Sequence, residues 1–275
     1  MILIDMHVHS TSSDGTYAPE KLPLAAKHRH LSFVSLTDHD TTSGLPRFAA
    51  ACHNVGIGGL CGIELSADAD FTMHILGYRI KPGCKAFENK LEDIRMYRDK
   101  RNVEICDKLQ KLGMDVTVEG AAKYSNGEVV ARPHIAHMMI AKGYVSSIYE
   151  AFAKYIGAGG SAYVPRVRPS AEECIEMISG AGGLAVLAHP AQTRLADDKL
   201  EALLSRLKDA GLWGLEAIYS SHSPEQICKY LGMADKFGLC STAGSDFHGA
   251  NSPGTELGMP VSEDLLPWAR LGVEI

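Results

Sequence analysis

The sequence predicts an α/β fold in which strands alternate with helices, the strands forming a parallel sheet with helical crossovers that is closed as a barrel or left open. Three observations predict it. Short apolar runs alternate with helical patterns on both sides of a helix-rich middle stretch. A chain of 275 residues is long enough for one barrel-like domain or a domain carrying an insertion. His, Asp and Glu also recur at the C-terminal ends of the apolar runs, where folds of this class gather their functional groups.

In chain order, the first strand starts at Ile2 and runs into His7-Val8-His9. Residues i and i+2 of a strand point to one face, so both imidazoles enter the same space, a metal-binding posture. A polar turn follows from Ser10 to Thr16 with Asp14-Gly15 in it, then a helix from Pro19 to His30. Leu31 to Thr37 reads as a strand entering Asp38-His39-Asp40, and Thr42 to Asn54 as a helix closed by Gly56. Ile57 to Ile63 is a strand with Glu64 at its end, and Phe71 to Leu76 a strand with His74 inside it. Lys85 to Leu112 is a long charged helical pattern, followed by shorter helical stretches, so 82–163 is expected to be an inserted helical subdomain and 1–81 with 164–275 the barrel. Alternation then resumes: helix Ser170 to Ser179, strand Gly183 to Ala188 ending at His189-Pro190, helix Asp197 to Ala210, and strand Trp213 to Tyr219 containing Glu216. Helix Pro224 to Phe237 and strand Leu239 to Ala243, ending at Ser245-Asp246-Phe247-His248, complete the pattern, and the tail from Pro253 carries little signal.

Composition narrows the function classes. A hydrophobic content of 45% and a charged content of 22% are those of an ordinary globular protein, and neither a membrane span nor a signal peptide is apparent, so a cytoplasmic location and no membrane partner are expected. Seven scattered cysteines, never spaced as CxxC, argue against a disulfide framework and a structural zinc site. The net charge of −6 offers no footprint for long duplex nucleic acid.

The strand-end groups are His7, His9, Asp14, His39, Glu64, His74, His189, Asp246 and His248. Imidazole nitrogen and carboxylate oxygen without thiolate suit manganese, zinc or iron(II), and the set is too large for one four- to six-coordinate ion. Glu64 can bridge two ions, so a cluster is expected. Taken singly, these residues have plainer readings: Asp14 as a turn residue, Asp38 and Asp40 as helix caps, His74 as a core residue. The coincidence of HxH, DHD, AHP and SDFH at four separate strand ends is what those readings leave unexplained. His28, His30, His53 and His222 are expected to be solvated, and His137 structural.

The series Asp5-Met6-His7-Val8-His9-Ser10, Ser13-Asp14-Gly15, Leu36-Thr37-Asp38-His39-Asp40, Gly62-Ile63-Glu64, His74-Ile75-Leu76-Gly77, Ala188-His189-Pro190 and Gly244-Ser245-Asp246-Phe247-His248 resembles the PHP (polymerase and histidinol phosphatase) phosphoesterase family, in the family's order. The resemblance implies a distorted (β/α)7 barrel and two or three divalent ions, Mn2+ first, with Fe2+ or Zn2+ as alternatives. It implies one ion on His7, His9, Glu64 and Asp246, a second on Glu64, His74 and His189, and a third on Asp14, His39 and His248. The chemistry implied is hydrolysis of a phosphoester by metal-bound hydroxide.

Substrate choice is expected in the insertion. Val130 to Ala136 contains Arg132-Pro133-His134, where a helix start with free N–H groups and a flanking Arg suits a phosphate. Arg166 and Arg168 follow in Tyr163 to Arg168, and the plainer reading is that some of these arginines pair with Glu or face water. Together the two segments resemble those of PHP nucleoside 3',5'-bisphosphate phosphatases, some of whose relatives trim short RNA. That likeness implies Arg132, His134 and Arg166 as substrate-binding residues, with Arg132, His134 and His189 as catalytic candidates; the general acid stays open between His134, His189 and water. The expected partner is a small phosphorylated substrate, a nucleotide or short RNA. Histidinol-phosphate phosphatase, 5'-3' exoribonuclease, an amidohydrolase and a non-catalytic phospholigand-binding module are the rival readings. A strand-end Glu64 in place of a bridging lysine speaks against the amidohydrolase.

Overall fold

The computed structural model describes residues 1–125, 130–165 and 167–273. In chain order its elements are β1 (Ile2–Val8), α1 (Leu22–His28), β2 (Phe33–Leu36), α2 (Leu45–Val55), β3 (Gly58–Ser66), β4 (His74–Tyr78) and α3 (Lys85–Lys111). Next come α4 (Val118–Ala122), α5 (Arg132–Ala141), α6 (Ile148–Ala151), α7 (Ala171–Gly180), β5 (Leu184–Leu187), α8 (Asp197–Asp209) and β6 (Gly214–Tyr219). The chain closes with α9 (Pro224–Lys236), β7 (Cys240–Gly244), β8 (Met259–Val261) and α10 (Trp268–Leu271). Two compact units result, Met1–Lys90 with Arg168–Ile275, and Leu91–Val167.

The first unit holds an eight-stranded sheet in the order β7-β6-β5-β4-β3-β2-β1-β8. Four neighbouring pairs are parallel: β1 with β2, β2 with β3, β5 with β6, and β6 with β7. The all-parallel expectation fails at β4, which runs antiparallel to both β3 and β5. The cause is local, because only Ala67 to Met73 separate β3 from β4 and a parallel pair needs a connection of about a dozen residues or more. Reversal has a functional consequence. His74 becomes the first residue of β4 and pairs with Ser66 at the end of β3, so it reaches the rim that the parallel strands reach with their C-terminal ends.

The tail contributes the eighth strand, β8, antiparallel to β1. On the far side, Asp246 N donates to the His7 carbonyl at 2.9 Å and His9 N donates to the Phe247 carbonyl at 2.9 Å. These bonds draw the β7 end of the sheet onto β1, giving a nearly closed, barrel-like sheet. Glu64 and Leu76 are direct cross-strand partners, so Leu76 and Tyr78 share the face of β4 that carries His74. Leu76 and Tyr78 pack with fully buried Ile4, Met6 and Val186. Polar ligand-type residues therefore sit above an apolar core, which keeps water from entering from below. Helix α2 ends as its sequence predicts, at Gly56 with φ of 68°, a left-handed conformation that glycine adopts without strain.

The second unit has its own core, in which Ile105, Leu109, Val116, Ile135, Met139 and Ile156 are fully buried. Asn102 on α3 donates to the Val130 carbonyl at 2.8 Å, tying the chain before α5 to that helix.

Candidate metal centre

Strand β1 delivers His7, and the residue just after the strand is His9; their ring centroids are 5.1 Å apart and both are fully buried. Strand β3 delivers Glu64, also fully buried, and the loop after β7 delivers Asp246. The Nε2 atoms of His7 and His9 lie 3.4 and 3.3 Å from Glu64 Oε2, and 3.4 and 3.2 Å from Asp246 Oδ1. These four side chains offer one donor atom each within 4.8 Å of one another.

The other carboxylate oxygen of Glu64 faces a second set. Its Oε1 lies 2.9 Å from His74 Nδ1 and 3.1 Å from His189 Nε2, and His39 Nδ1 is 3.0 Å from Oε2. A third set forms around Asp14, whose carboxylate is 3.2 Å from His248 Nε2, 3.7 Å from His9 Nδ1 and 3.8 Å from His39 Nε2. All nine strand-end residues thus converge. His9 and His39 each lie within reach of two sets, so the sets are contiguous rather than separate.

Whether these residues fit metal ions is tested by their unmet bonding. His7 Nε2, both ring nitrogens of His9, His39 Nδ1 and Glu64 Oε2 are buried without a hydrogen bond. Buried polar atoms are nearly always paired, and leaving one unpaired costs about 1–3 kcal/mol. Five such atoms aimed into one space, all nitrogen or oxygen, fit hard or borderline divalent ions.

The PHP domain family model matches residues 5–210 of the chain. The chain belongs to the PHP phosphoesterase family. Among PHP relatives it is 35% identical over 98% of its length to a 3',5'-nucleoside bisphosphate phosphatase of Chromobacterium violaceum, covering 95% of that protein. It is 34% identical over 89% of its length to a 5'-3' exoribonuclease of Haemophilus influenzae, covering 89% of that protein. Two solved structures are similar as well. One, described as an amidohydrolase from Chromobacterium violaceum with bound sulfate and no metal, superposes with a TM-score of 0.84 at 34% identity, covering 98% of this chain and 95% of that one. The other, assigned as a metal-dependent phosphoesterase from Bifidobacterium adolescentis, gives 0.78 at 32% identity, covering 95% and 93%.

The electrostatics of this PHP chain follow from burial working against close opposite charges. Burial alone pushes the Glu64, Asp246 and Asp14 carboxyls up, but the surrounding histidines outweigh it and hold all three below the usual carboxylate range. Burial pulls the His7, His9, His39 and His248 imidazoles down, and the neighbouring carboxylates reverse the sign, so these four are raised. For His74 burial prevails, and its pKa falls to about 4.

Residues outside the nine candidate ligands hold the frame that carries them. Asp38 and Asp40 do not cap α2, whose N-cap is Gly44. Asp38 instead accepts from Ser10 N at 2.7 Å, Ser10 Oγ at 2.6 Å and Ser13 Oγ at 2.6 Å, fixing the turn that carries Asp14. Asp40 accepts from Ser66 N at 3.2 Å. Asp5, fully buried, accepts from Ser245 N at 2.9 Å, Ser245 Oγ at 2.5 Å and Gly258 N at 2.8 Å, joining β1 to the Asp246 loop; burial outweighs these bonds and raises its pKa to about 6. Glu216 and Tyr219 on β6 are buried and touch candidate ligands. The only available signal was a lone acid in an apolar strand. His222, expected to be solvated, is buried between the rings of Tyr219 and Tyr230, at 5.1 and 4.7 Å between centroids.

In the second unit, Arg132 opens α5 with its guanidinium over the Phe152 ring, 5.3 Å from the centroid, and an Nη1 to Ile156 carbonyl contact of 3.4 Å. Its pKa is lowered by burial. His134 accepts the Ala131 N–H at Nδ1, 3.0 Å away. Arg168 belongs to the first unit and donates to the Ala67 carbonyl at 3.2 Å. Arg166 lies outside the described residues. Among the described residues no helix is long and apolar enough to cross a membrane.

Proposed function

We propose that the protein is a metal-dependent phosphatase that removes the 3'-phosphate of nucleoside 3',5'-bisphosphates, such as adenosine 3',5'-bisphosphate, to leave the 5'-monophosphate. The observation that carries the reading is the position of Glu64, a buried carboxylate with one oxygen against His74 and His189 and the other against His7, His9 and His39. One side chain in reach of two donor sets is what a bridged cluster requires.

His7, His9, Glu64 and Asp246 would hold one divalent ion, Glu64, His74 and His189 a second, and Asp14, His39 and His248 a third, with Mn2+ preferred over Fe2+ or Zn2+. When bound, such ions neutralise charge on the phosphoryl oxygens and acidify water into a nucleophile near neutral pH. The chain's own residues do the rest. Buried His7, His9 and Glu64 form a floor that excludes water, whereas the Asp14 side chain is 39% exposed, so substrate enters at the Asp14, His39 and His248 end. His189 Nε2 is engaged with Glu64, which favours a ligand role over that of proton donor. His134, with Nδ1 occupied as an acceptor, carries its proton on Nε2 in the neutral form and is the proposed donor to a phosphate or leaving-group oxygen. Arg132 and Arg166 are the proposed phosphate clamps, and stacking on Phe152 limits the freedom that Arg132 loses on binding.

The similarity to a bisphosphate phosphatase over nearly the whole chain supports the nucleotide substrate. The exoribonuclease relative favours one further reading, the trimming of short RNA at the same centre. The test offers Mn2+-loaded protein adenosine 3',5'-bisphosphate, histidinol phosphate, a 5'-phosphorylated trinucleotide and an aryl phosphate, and follows phosphate and product. The bisphosphate is expected to give the highest kcat/KM and adenosine 5'-monophosphate as the product. An aryl phosphate turned over equally well would sink the substrate assignment, and faster nucleotide release from the trinucleotide would favour the exoribonuclease.

A further inference from the structure

Strand β6 supplies none of the nine candidate ligands, yet it places a fully buried carboxylate behind two of them. Glu216 Oε1 lies 3.0 Å from His7 Nδ1, and Glu216 Oε2 accepts the backbone N–H of His189 at 2.7 Å. His7 and His189 meet different oxygens of Glu64, Oε2 and Oε1 respectively. Their rings are stacked, 5.8 Å apart with 21° between planes.

We propose that Glu216 is a positioning residue that fixes the relative placement of the two metal sites by holding one ligand of each. A carboxylate has only acceptors, so the His7 proton is held on Nδ1 and the Nε2 lone pair is left facing Glu64 and Asp246. At His189 the same carboxylate anchors the backbone of a residue with φ of 26°, a conformation that a non-glycine residue keeps only when its surroundings impose it. With that N–H held, the ring reaches Glu64.

Two features of the neighbouring chain reinforce the assignment. The β6–β7 register shifts between Glu216 and Ile218, and Tyr219 three residues on also meets a candidate ligand, its hydroxyl donating to Asp246 Oδ2 at 3.0 Å. Gly244 on β7 packs directly on the pair: a Cβ there would come within 2.3 Å of His7 Cβ and 2.6 Å of Glu216 Oε1. The absence of a side chain at Gly244 is what lets β7 lie this close to the pair. Glutamine is a discriminating replacement, because an amide matches the shape but must present NH2 to one of the two N–H donors. It therefore either turns His7 to the wrong tautomer or releases His189.

The inference rests on the metal-centre reading, and its test separates the two. Zn2+ binding to the metal-free wild-type protein and to Glu216→Gln is measured by calorimetry, alongside the thermal midpoint of each metal-free form. The variant is expected to bind Zn2+ about 10–100-fold more weakly, the usual effect of removing a partner behind a ligand, with the metal-free midpoint little changed. Wild-type binding with an unchanged variant overturns the role of Glu216 alone, and so does a variant that loses only thermal stability. No binding by the wild type overturns the metal centre and this role with it. Should the variant not fold, 15N-histidine spectra of the Zn2+-loaded wild type decide: a slowly exchanging proton on His7 Nδ1 supports the proposal, and a bare or metal-bound Nδ1 contradicts it.

Discussion

Three residues at the rim of the sheet, Asp40, His189 and Asp246, have positive φ without being glycine, at 51°, 26° and 60°. Such conformations cost about 1–3 kcal/mol each and persist where the surroundings over-determine them. Each has an identifiable anchor: Ser66 N on Asp40, Glu216 on His189, and the Tyr219 hydroxyl on Asp246. Buried carboxylates that are not themselves candidate ligands recur in this supporting role, and Asp38 is the clearest case. It accepts three hydrogen bonds from Ser10 and Ser13, so Asp38→Ala leaves those donors unmet beside Asp14. The substitution is expected to lower stability by about 1–3 kcal/mol and to weaken metal binding at the Asp14 set more than at the His7 set. Urea unfolding of the metal-free protein and a metal titration check the two effects separately. A variant as stable as wild type would show that the turn is held by something else.

Among the elements, the helices differ in what they cover, and the cysteines report it. Cys52 on α2 and Cys106 on α3 are buried, and burial pushes their thiols up to about 12 and about 11, whereas Cys228 on α9 is exposed. Only the thiolate is nucleophilic, so a raised pKa and a closed surface slow the first two together. Native protein treated with iodoacetamide at pH 8 is expected to be modified at Cys228 well before Cys52 or Cys106, which react only after unfolding. Peptide mass spectrometry reads this directly, and early labelling of Cys106 would contradict the packing given for α3. That helix also buries charge. Its sequence reads only as a long charged helical pattern, yet Arg98 and Arg101 are 7% and 5% exposed. Periodicity reports where apolar side chains go and is silent about buried charge.

At the scale of the molecule, what was legible follows from which signals are local. The two histidines of β1, the acids and histidines ending the other strands and the closure of α2 at Gly56 are each written in a few adjacent residues, and the structure brings all nine candidate ligands together. The reversal of β4 was legible in principle from the short Ala67 to Met73 link, but strand alternation alone masks strand direction. Glu216 was not legible as part of the site, since a mid-strand acid looks the same whether it supports a ligand or caps nothing. The β8 pairing depends on β1, some 250 residues away, and leaves almost no local trace. These pieces together describe a PHP phosphoesterase whose nine candidate metal ligands come from the ends of most of its strands. The most direct test strips the protein with chelator, returns Mn2+ in steps, and records bound metal and phosphate released from adenosine 3',5'-bisphosphate in the same samples. Activity rising only as the second equivalent binds, and saturating by two to three ions per chain, is the predicted result. Full phosphate release from the metal-free protein, or saturation at a single ion, would contradict it.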